Sequence, residues 1–426
     1  MSEGGGGRHK QAMVLSGGGA NGAYEVGVMR ALFNGLCPTT CDAPLDPDIF
    51  SGTSIGSFNA SFLVSRWEAG GPAAVAELER LWLERLSRDG AAGENNGYRF
   101  LANPFELFDP RRFAADPLGA FGQFAQDGLR LAWDFFDRLM YVVNPDEDSP
   151  MTTRLLHTIA VDNFISREPF RRLVKDVIDF GAIRASPKEL KIATTNWETG
   201  QVREFGNYDF TDGLGPRIIM ASSAIPGFFT PEEVGSQPYV DGSVLMNTPL
   251  KPVIVSGARV MHIIYLDPDV DSIPIHYLSN VLSTLYRTQV INWASVLNDD
   301  ISDAENINEA LIALGLAGRD EGGDGDEGGG GGVEEKRVMK ALAKFGRHLE
   351  KAARYKMLTI HRYHPRDELG GALSLLDLRR ERIEYLVERG FRDAAGHDCN
   401  VSRCVIPAEP NAGPRASADP YRARPE

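Results

Sequence analysis

Ser54 is the residue whose setting best suits nucleophilic chemistry, because it lies between Gly52 and Gly56. A Gly-x-Ser-x-Gly pattern is typical of a nucleophile elbow, a sharp strand-to-helix turn that exposes the serine hydroxyl. Flanking glycines remove the side chains that would collide with the bent backbone. The helix that follows would direct the positive end of its dipole toward charge developing at the serine. The pattern alone is weakly specific, and its position between a predicted strand and a predicted helix gives it weight.

A second glycine-rich turn, at Gly17, Gly18, Gly19 and Gly22, follows the first predicted strand. Backbone N–H groups of such a turn can converge on the oxyanion formed in acyl transfer, and each donor contributes about 3–4 kcal/mol there. The same spacing also fits a dinucleotide-binding fingerprint. That alternative requires an acidic residue at the end of the second strand. Residues 51–54 contain no carboxylate, so the oxyanion hole is the favoured interpretation.

A carboxylate that could assist the serine occurs at Asp241-Gly242, after a short apolar segment. An Asp-Gly pair by itself usually indicates only a turn. A Ser-His-Asp esterase or lipase remains the alternative, and in the α/β-hydrolase order its histidine would come last, as His361, His364 or His397. Against it, only one predicted strand precedes the strand that leads into Ser54.

Taken in order, these motifs resemble the patatin-like phospholipases. The resemblance covers about Ala12 to Val255, apart from one insertion, and resumes weakly from Met357 to Ala395. The connecting segments that share it are Gly22–Val28, Asn59–Ala60, Ala221–Phe229 and Asn247–Leu250.

This resemblance implies a lipid acyl hydrolase of the phospholipase A or lysophospholipase type, acting through a Ser–Asp dyad and an acyl-enzyme. Ser54 would be the nucleophile, Asp241 its base, and the amides of Gly17, Gly18 and Gly19 the oxyanion hole. The substrate would be a phospholipid or other lipid ester, and no cofactor would be needed. A nucleotide-binding or lipid-binding module without catalysis is the non-enzymatic alternative, although both dyad residues are present.

Two positions depart from the family pattern. Family members often carry Arg or Lys where this chain has Asn21, which puts in doubt any cation acting there on an anionic head group. Ser243 stands where Gly or Ala is common, a small polar change that we expect to be tolerated.

The elements that position these motifs alternate between strands and helices, which predicts a parallel sheet with right-handed crossovers. The fold class is therefore α/β: a three-layer α/β/α domain with a mainly parallel central sheet, patatin-like, with a helical insertion. The predicted strands are 12–16, 48–51, 190–195, 202–205, 239–240, 260–266 and 357–361, and the predicted helices are 23–36, 57–68, 129–143 and 377–389, the last closed by Gly390.

The predicted organisation has five parts. A disordered tail (1–11) precedes a catalytic domain (12–314) that carries an aromatic-rich insertion (98–145). An acidic, Gly-rich linker (315–335) leads to a C-terminal strand and helices (336–404) that complete the domain. The final segment, 405–426, is Pro-rich and predicted to be disordered. The insertion is interpreted as a helical subdomain with its own core, or as a lid that contacts lipid.

Composition limits the classes of partner. A net charge of −14 over 426 residues disfavours nucleic acid, and it leaves membrane contact to a local patch. No apolar run approaches the roughly 20 residues of a spanning helix. The polar start lacks the apolar segment of a secretory signal. We therefore expect a cytoplasmic protein, with peripheral membrane contact through 98–145.

No metal is assigned from the sequence. The four cysteines form two pairs, Cys37 with Cys41 and Cys399 with Cys404, but these pairs lack supporting histidine spacing for zinc. The alternating Asp267, Asp269 and Asp271 are typical of a solvated loop. The acidic linker lacks the ligand spacing of a calcium-binding EF-hand.

Overall fold

The computed structural model describes residues 9–87, 97–100, 165–226, 228–266, 281–313, 356–370 and 372–407. Several predictions lie outside the described residues: nearly all of the insertion, including its helix at 129–143, the linker, the carboxylates at 267–271, and most of both tails. The division into domains stays a prediction.

Among the described residues, the central sheet has eight strands, and a separate two-stranded antiparallel pair is formed by β3 and β4. The order across the sheet is β10-β9-β1-β2-β5, with β8 and then β7 continuing from β5, while β6 pairs with β5 separately. The strands are β1 (Gln11–Leu15), β2 (Ile49–Thr53), β3 (Arg99–Phe100), β4 (Ile165–Ser166), β5 (Glu189–Asn196), β6 (Val202–Gly206), β7 (Glu232–Val234), β8 (Gln237–Asp241), β9 (Val260–Ile264) and β10 (Thr359–Tyr363).

The first five strands in this order pair in parallel, whereas β6, β7 and β8 add antiparallel pairs at the β5 end. Crossover connections between parallel strands place helices on the sheet faces. These helices are α1 (Gly22–Phe33), α2 (Ile55–Arg66), α3 (Gly71–Leu81), α4 (Glu168–Val177), α5 (Phe180–Ala185), α6 (Gly215–Ser222), α7 (Leu250–Val255), α8 (Val281–Ala313) and α9 (Arg380–Ala395).

Successive residues of β1 are buried on opposite faces of the sheet, as the two-residue period of a strand requires. Met13 and Leu15 belong to the larger core, with residues of α1, α2 and α9. Ala12 and Val14 belong to the smaller core, with residues of α7 and α8. A sheet buried on both faces confirms the predicted three-layer α/β/α fold with a mainly parallel sheet.

The structure shifts most of the predicted boundaries by one to three residues, and α1 ends at Phe33 rather than at residue 36. Strand β10 lies two residues later than predicted, and α9 begins at Arg380 and runs to Ala395, so Gly390 does not close it. Gly390 is instead a packing residue, because a side chain there would overlap with the Tyr24 carbonyl of α1. Two residues within the predicted tails are ordered, since Gln11 begins β1 and Val405 pairs with Ile360 of β10.

None of the helices within the described ranges is both long and apolar enough to cross a membrane.

The close approach of α1 to α9 generates a stability prediction. An added Cβ at Gly27 would overlap with the Val387 carbonyl of α9. We expect Gly27→Ala to lower the free energy of unfolding by about 1–3 kcal/mol through overpacking, although alanine has the higher helix propensity. Urea unfolding would measure this change. Gly213→Ala is the control, because an added Cβ there meets nothing within 4 Å. Equal effects of the two substitutions would contradict the prediction.

Candidate active site

Ser54 occupies the turn between the end of β2 and the start of α2. Its backbone has φ +54° and ψ −124°, a conformation that side-chain-bearing residues rarely adopt. Such strain costs on the order of 1–3 kcal/mol and persists only where the surroundings enforce it. The surroundings do so here, since a Cβ at Gly56 would lie 2.6 Å from the Leu15 carbonyl oxygen, and one at Gly52 would overlap with Gly56. The sequence therefore folds locally as the predicted elbow.

Hydrogen bonds hold the elbow on both sides. The Ser54 N–H donates to Ser222 Oγ at 2.9 Å, and the Ser222 hydroxyl donates to the Ala193 carbonyl of β5 at 2.8 Å. The Ser57 hydroxyl donates to the Ser54 carbonyl at 2.5 Å. The backbone of Ser54 is thus tied to α6 and β5, while its hydroxyl makes none of these bonds.

Asp241 ends β8 and is fully buried. Its Oδ1 accepts the Ser243 N–H at 2.8 Å, in the short turn that follows the strand. Its Oδ2 is buried without a hydrogen bond of ordinary geometry among the described residues. Burial raises the pKa of Asp241 to about 6, opposed by hydrogen bonding from Ser243 and Ser54 and by attraction to Arg167. The Ser54 side chain therefore lies near this carboxylate without completing a bond to Oδ2.

The register of β5 explains how two residues so far apart in sequence come together. Strand β6 pairs with residues 191–195 along one edge of β5, so β2 and β8 must share the other edge. Strand β2 covers that edge up to the Thr53–Ala193 pair, and β8 starts with the Thr194–Asp241 pair. The two strands run in opposite directions, so their carboxyl ends meet at neighbouring positions of β5.

Gly242 permits this end-to-end meeting of β2 and β8. A Cβ at Gly242 would lie 2.5 Å from the Ala193 carbonyl oxygen and 3.0 Å from the Thr53 methyl group. The Asp-Gly pair is therefore part of the contact between the two strand ends, and Ser54 and Asp241 are brought into one buried site.

The glycine-rich turn after β1 lies against the elbow. A Cβ at Gly17 would be 2.9 Å from the Ser54 Cβ, so the two turns are in direct contact. The Gly17 N–H donates to Asn247, both to Oδ1 at 3.1 Å and to the carbonyl oxygen at 3.2 Å. The amides of Gly18 and Gly19 form no hydrogen bond to a described residue. Of the three predicted oxyanion donors, Gly17 is thus already engaged, and Gly18 and Gly19 remain available.

A cation from another part of the chain binds the Asn21 side chain. Arg382 of α9 donates to Asn21 Oδ1 at 3.0 Å and also to the Leu369 carbonyl. Gly19 is similarly close to the C-terminal segment, since a Cβ there would overlap with the Leu375 carbonyl. Arg382 and the segment around Leu375 therefore support the glycine-rich turn.

A buried polar chain links the helices that follow the two turns. The Asn59 side chain on α2 donates to Glu25 of α1 at 2.8 Å and accepts the Trp82 indole N–H at 2.9 Å. Burial raises the pKa of Glu25 well above its usual value, with Asn59 acting in the opposite direction. This chain fixes α1 against α2 and holds Trp82 in the wall of the cleft described next.

A cleft with about 600 Å³ of empty volume, part of it open solvent, lies beside Ser54. Its walls are mainly apolar and aromatic, and none of the described residues that line it is a histidine. They are Gly19, Ala20, Ile55, Trp82, Leu86, Gly97, Tyr98, Arg167, Phe170, Ser223, Ile225, Phe229, Leu375, Leu376 and Leu378, together with Ser54.

Arg167 brings a positive charge to this apolar cleft. It donates to the Met220 carbonyl at 2.7 Å, and its guanidinium lies 4.6 Å from the centroid of the Phe229 ring. Burial lowers the pKa of Arg167 to about 10, with Glu232 and Asp241 raising it. Arg167 is therefore still protonated at neutral pH.

The predicted alternative histidines lie elsewhere. His361 and His397 contact Cys399, and His364 stacks on Tyr265. No role was predicted for four residues of this region: Arg167, Ser222, Asn247 and Arg382. Ser222 and Asn247 lie within segments that carried the family resemblance, and this could have marked them as site residues. No sequence pattern marked Arg167 or Arg382.

Comparison with known proteins adds the following. A model of the patatin-like phospholipase family matches residues 13–254, more than half of the chain. No curated protein matches the sequence. Among solved structures, VipD from Legionella pneumophila is similar at 13% identity with a TM-score of 0.34, and the alignment covers 91% of this chain and 66% of VipD. The chain thus spans just under two thirds of the length of that protein.

The raised pKa of Asp241 predicts a cost in stability. Its pKa is about 6 in the folded state against 3.8 ordinarily, so its contribution to folding is lost as pH rises through about 6. We expect Asp241→Asn to stabilise the protein at pH 8, by up to about 3 kcal/mol. The difference between wild type and variant should widen by about 1–1.5 kcal/mol from pH 5 to pH 8. Urea unfolding across this range measures it, and a pH-independent difference would refute it.

Proposed function

The chain belongs to the patatin-like phospholipase family, a family of lipid acyl hydrolases, and from this premise we propose that it cleaves carboxylic ester bonds of phospholipids or lysophospholipids through Ser54 and Asp241. The observation that carries the proposal is the strained Ser54 turn beside a buried carboxylate whose pKa is raised to about 6.

The first half-reaction is acylation. Ser54 Oγ attacks the ester carbonyl carbon while its proton passes to Asp241 Oδ2, the oxygen that lacks a complete hydrogen bond. The raised pKa matters because a carboxylate of ordinary pKa is a weak base toward a hydroxyl. The tetrahedral oxyanion accepts hydrogen bonds from the Gly18 and Gly19 amides. Collapse of this intermediate expels the alcohol, which takes the proton from Asp241, and leaves the acyl group on Ser54.

The second half-reaction is deacylation. Asp241 accepts a proton from water as the water attacks the acyl-enzyme, and the fatty acid leaves as Ser54 regains a proton. Positioned donors and an apolar cleft support these steps, since preorganised hydrogen bonds are worth more where water is excluded.

The cleft fits a lipid ester in two respects. Apolar walls suit an acyl chain, and Arg167 suits an anionic group such as a phosphate, because a guanidinium forms charge-assisted hydrogen bonds with phosphate oxygens. Contact with a membrane surface through 98–145 and a cytoplasmic location stay predictions.

The nucleophile assignment is tested by labelling with a fluorophosphonate and mapping the modified peptide. We expect modification at Ser54, no labelling of Ser54→Ala, and a loss of ester hydrolysis of at least about 10³-fold in both Ser54→Ala and Asp241→Asn. Ser223→Ala is the matched control, because Ser223 lines the same cleft and its hydroxyl donates to the Ile219 carbonyl. Label on Ser223, or full activity of Ser54→Ala, would overturn the assignment.

The role of Arg167 is tested by comparing charged and uncharged substrates. We expect Arg167→Gln to lower kcat/KM for a phospholipid about 10-fold, the loss of one charge-assisted hydrogen bond. Hydrolysis of an uncharged p-nitrophenyl ester should change far less. Arg172→Gln, an exposed position on α4, the helix that Arg167 precedes, serves as control. A parallel loss on both substrates would show that Arg167 supports the fold of the cleft rather than the head group.

A further inference from the structure

We propose that His361, His397, Cys399 and Cys404 bind one zinc ion in a site separate from Ser54. One ligand atom from each of these residues, an imidazole nitrogen or a thiol sulfur, lies within 4.8 Å of all the others. Two thiolates and two imidazoles are a donor set that zinc prefers, and tetrahedral S₂N₂ geometry is typical of it.

Three of the separations between the ligand atoms match the S···N edges of a zinc tetrahedron. With Zn–S of about 2.3 Å and Zn–N of about 2.0–2.1 Å, a tetrahedral S···N edge measures about 3.6 Å. Cys399 Sγ lies 3.6 Å from His361 Nδ1 and 3.6 Å from His397 Nε2. Cys404 Sγ lies 3.4 Å from His397 Nε2. The remaining separations are at most 4.8 Å, so an ion at the centre would draw the widest pairs closer together.

The backbone assembles these ligands from two parts of the fold. His361 is the central residue of β10, and His397 comes two residues after the end of α9. The Cys404 N–H donates to the Cys399 carbonyl at 2.9 Å and closes the turn between the two cysteines. The next residue, Val405, exchanges two hydrogen bonds with Ile360 of β10, at 2.8 and 2.9 Å. The turn is thereby held against the strand that carries His361.

Neighbouring groups orient the ligands, as the outer contacts of metal sites generally do. The Arg362 N–H donates to Cys404 Sγ at 3.3 Å, a bond that would stabilise a thiolate. The Ser402 hydroxyl lies 3.4 Å from His397 Nδ1, on the side of the ring opposite the cluster. The His262 ring stacks on His361 with centroids 5.0 Å apart.

These four ligands are suited to a structural zinc site. Four protein ligands complete a tetrahedron and leave no open position for water or substrate, which is the pattern of structural rather than catalytic zinc. The site would fasten the segment after α9 to β10, the outer strand of the sheet. Strands β9 and β1 separate β10 from β2, so the cluster lies roughly 14 Å across the sheet from the strand that ends at Ser54.

A disulfide between Cys399 and Cys404 is the competing use of these cysteines, and both are free thiols in the structure. A disulfide would not account for the position of His361 and His397 beside the two sulfur atoms. The experiment therefore needs to distinguish bound metal from an oxidised pair.

The test measures metal in the full-length chain, purified without chelator or reductant, by mass spectrometry of the elements. We expect close to one zinc per chain in the wild type, and at least a tenfold lower content in Cys399→Ser/Cys404→Ser. Cys41→Ser is the matched control, since Cys41 is exposed and outside the cluster, and it should retain the zinc. Unchanged zinc in the double variant would overturn the proposal.

A second measurement holds even if the double variant fails to fold. The wild-type chain, stripped of metal and titrated with Co²⁺ alone, should develop the visible absorption of tetrahedral cobalt together with thiolate-to-cobalt charge transfer, saturating at one equivalent. Failure to bind Zn²⁺ or Co²⁺, or recovery of a Cys399–Cys404 disulfide by peptide mapping of the metal-free purified chain, would refute the site.

Discussion

The candidate site depends on one constraint, which is that β2 and β8 end against neighbouring residues on the same edge of β5. One parallel and one antiparallel neighbour share this edge, and the arrangement brings two strand ends face to face. The first end turns sharply at Ser54, and the second stops at Asp241. Glycines at the junction allow the two backbones to approach more closely than side chains would permit.

The site stores unfavourable energy in two forms. Ser54 has a strained backbone, and Asp241 is a buried carboxylate with one oxygen lacking a complete hydrogen bond. Burial of a partly satisfied charge is costly, and a strained backbone persists only in surroundings rigid enough to enforce it. Cores on both faces of the sheet supply that rigidity, and the hydrogen bonds of Ser222, Asn247 and Asn59 transmit it to the turns. Strain of this kind is expected where a group must be reactive rather than stable.

The sequence allowed the α/β class, the early strand–turn–helix units and the elbow to be predicted, because local spacing determines them. It did not predict that β8 pairs antiparallel with β5, since an Asp-Gly pair looks the same in any turn. Gly390 was interpreted as a helix end because glycine often closes helices. In the structure it instead lies inside α9, where it allows close contact with α1. Arg167 and the cluster around Cys399 depend on contacts between distant segments, which no local pattern reports.

The support of the glycine-rich turn by the C-terminal segment has a consequence for where the working unit ends. Residues 13–254 contain Ser54, Asp241 and all of the predicted oxyanion donors. Yet Leu375 lies against Gly19, Arg382 binds Asn21, and α9 packs along α1. A fragment cut to the matched region would carry every residue proposed to react and still expose one flank of the turn to water. The region that contains the proposed chemistry is therefore shorter than the region that folds as one unit.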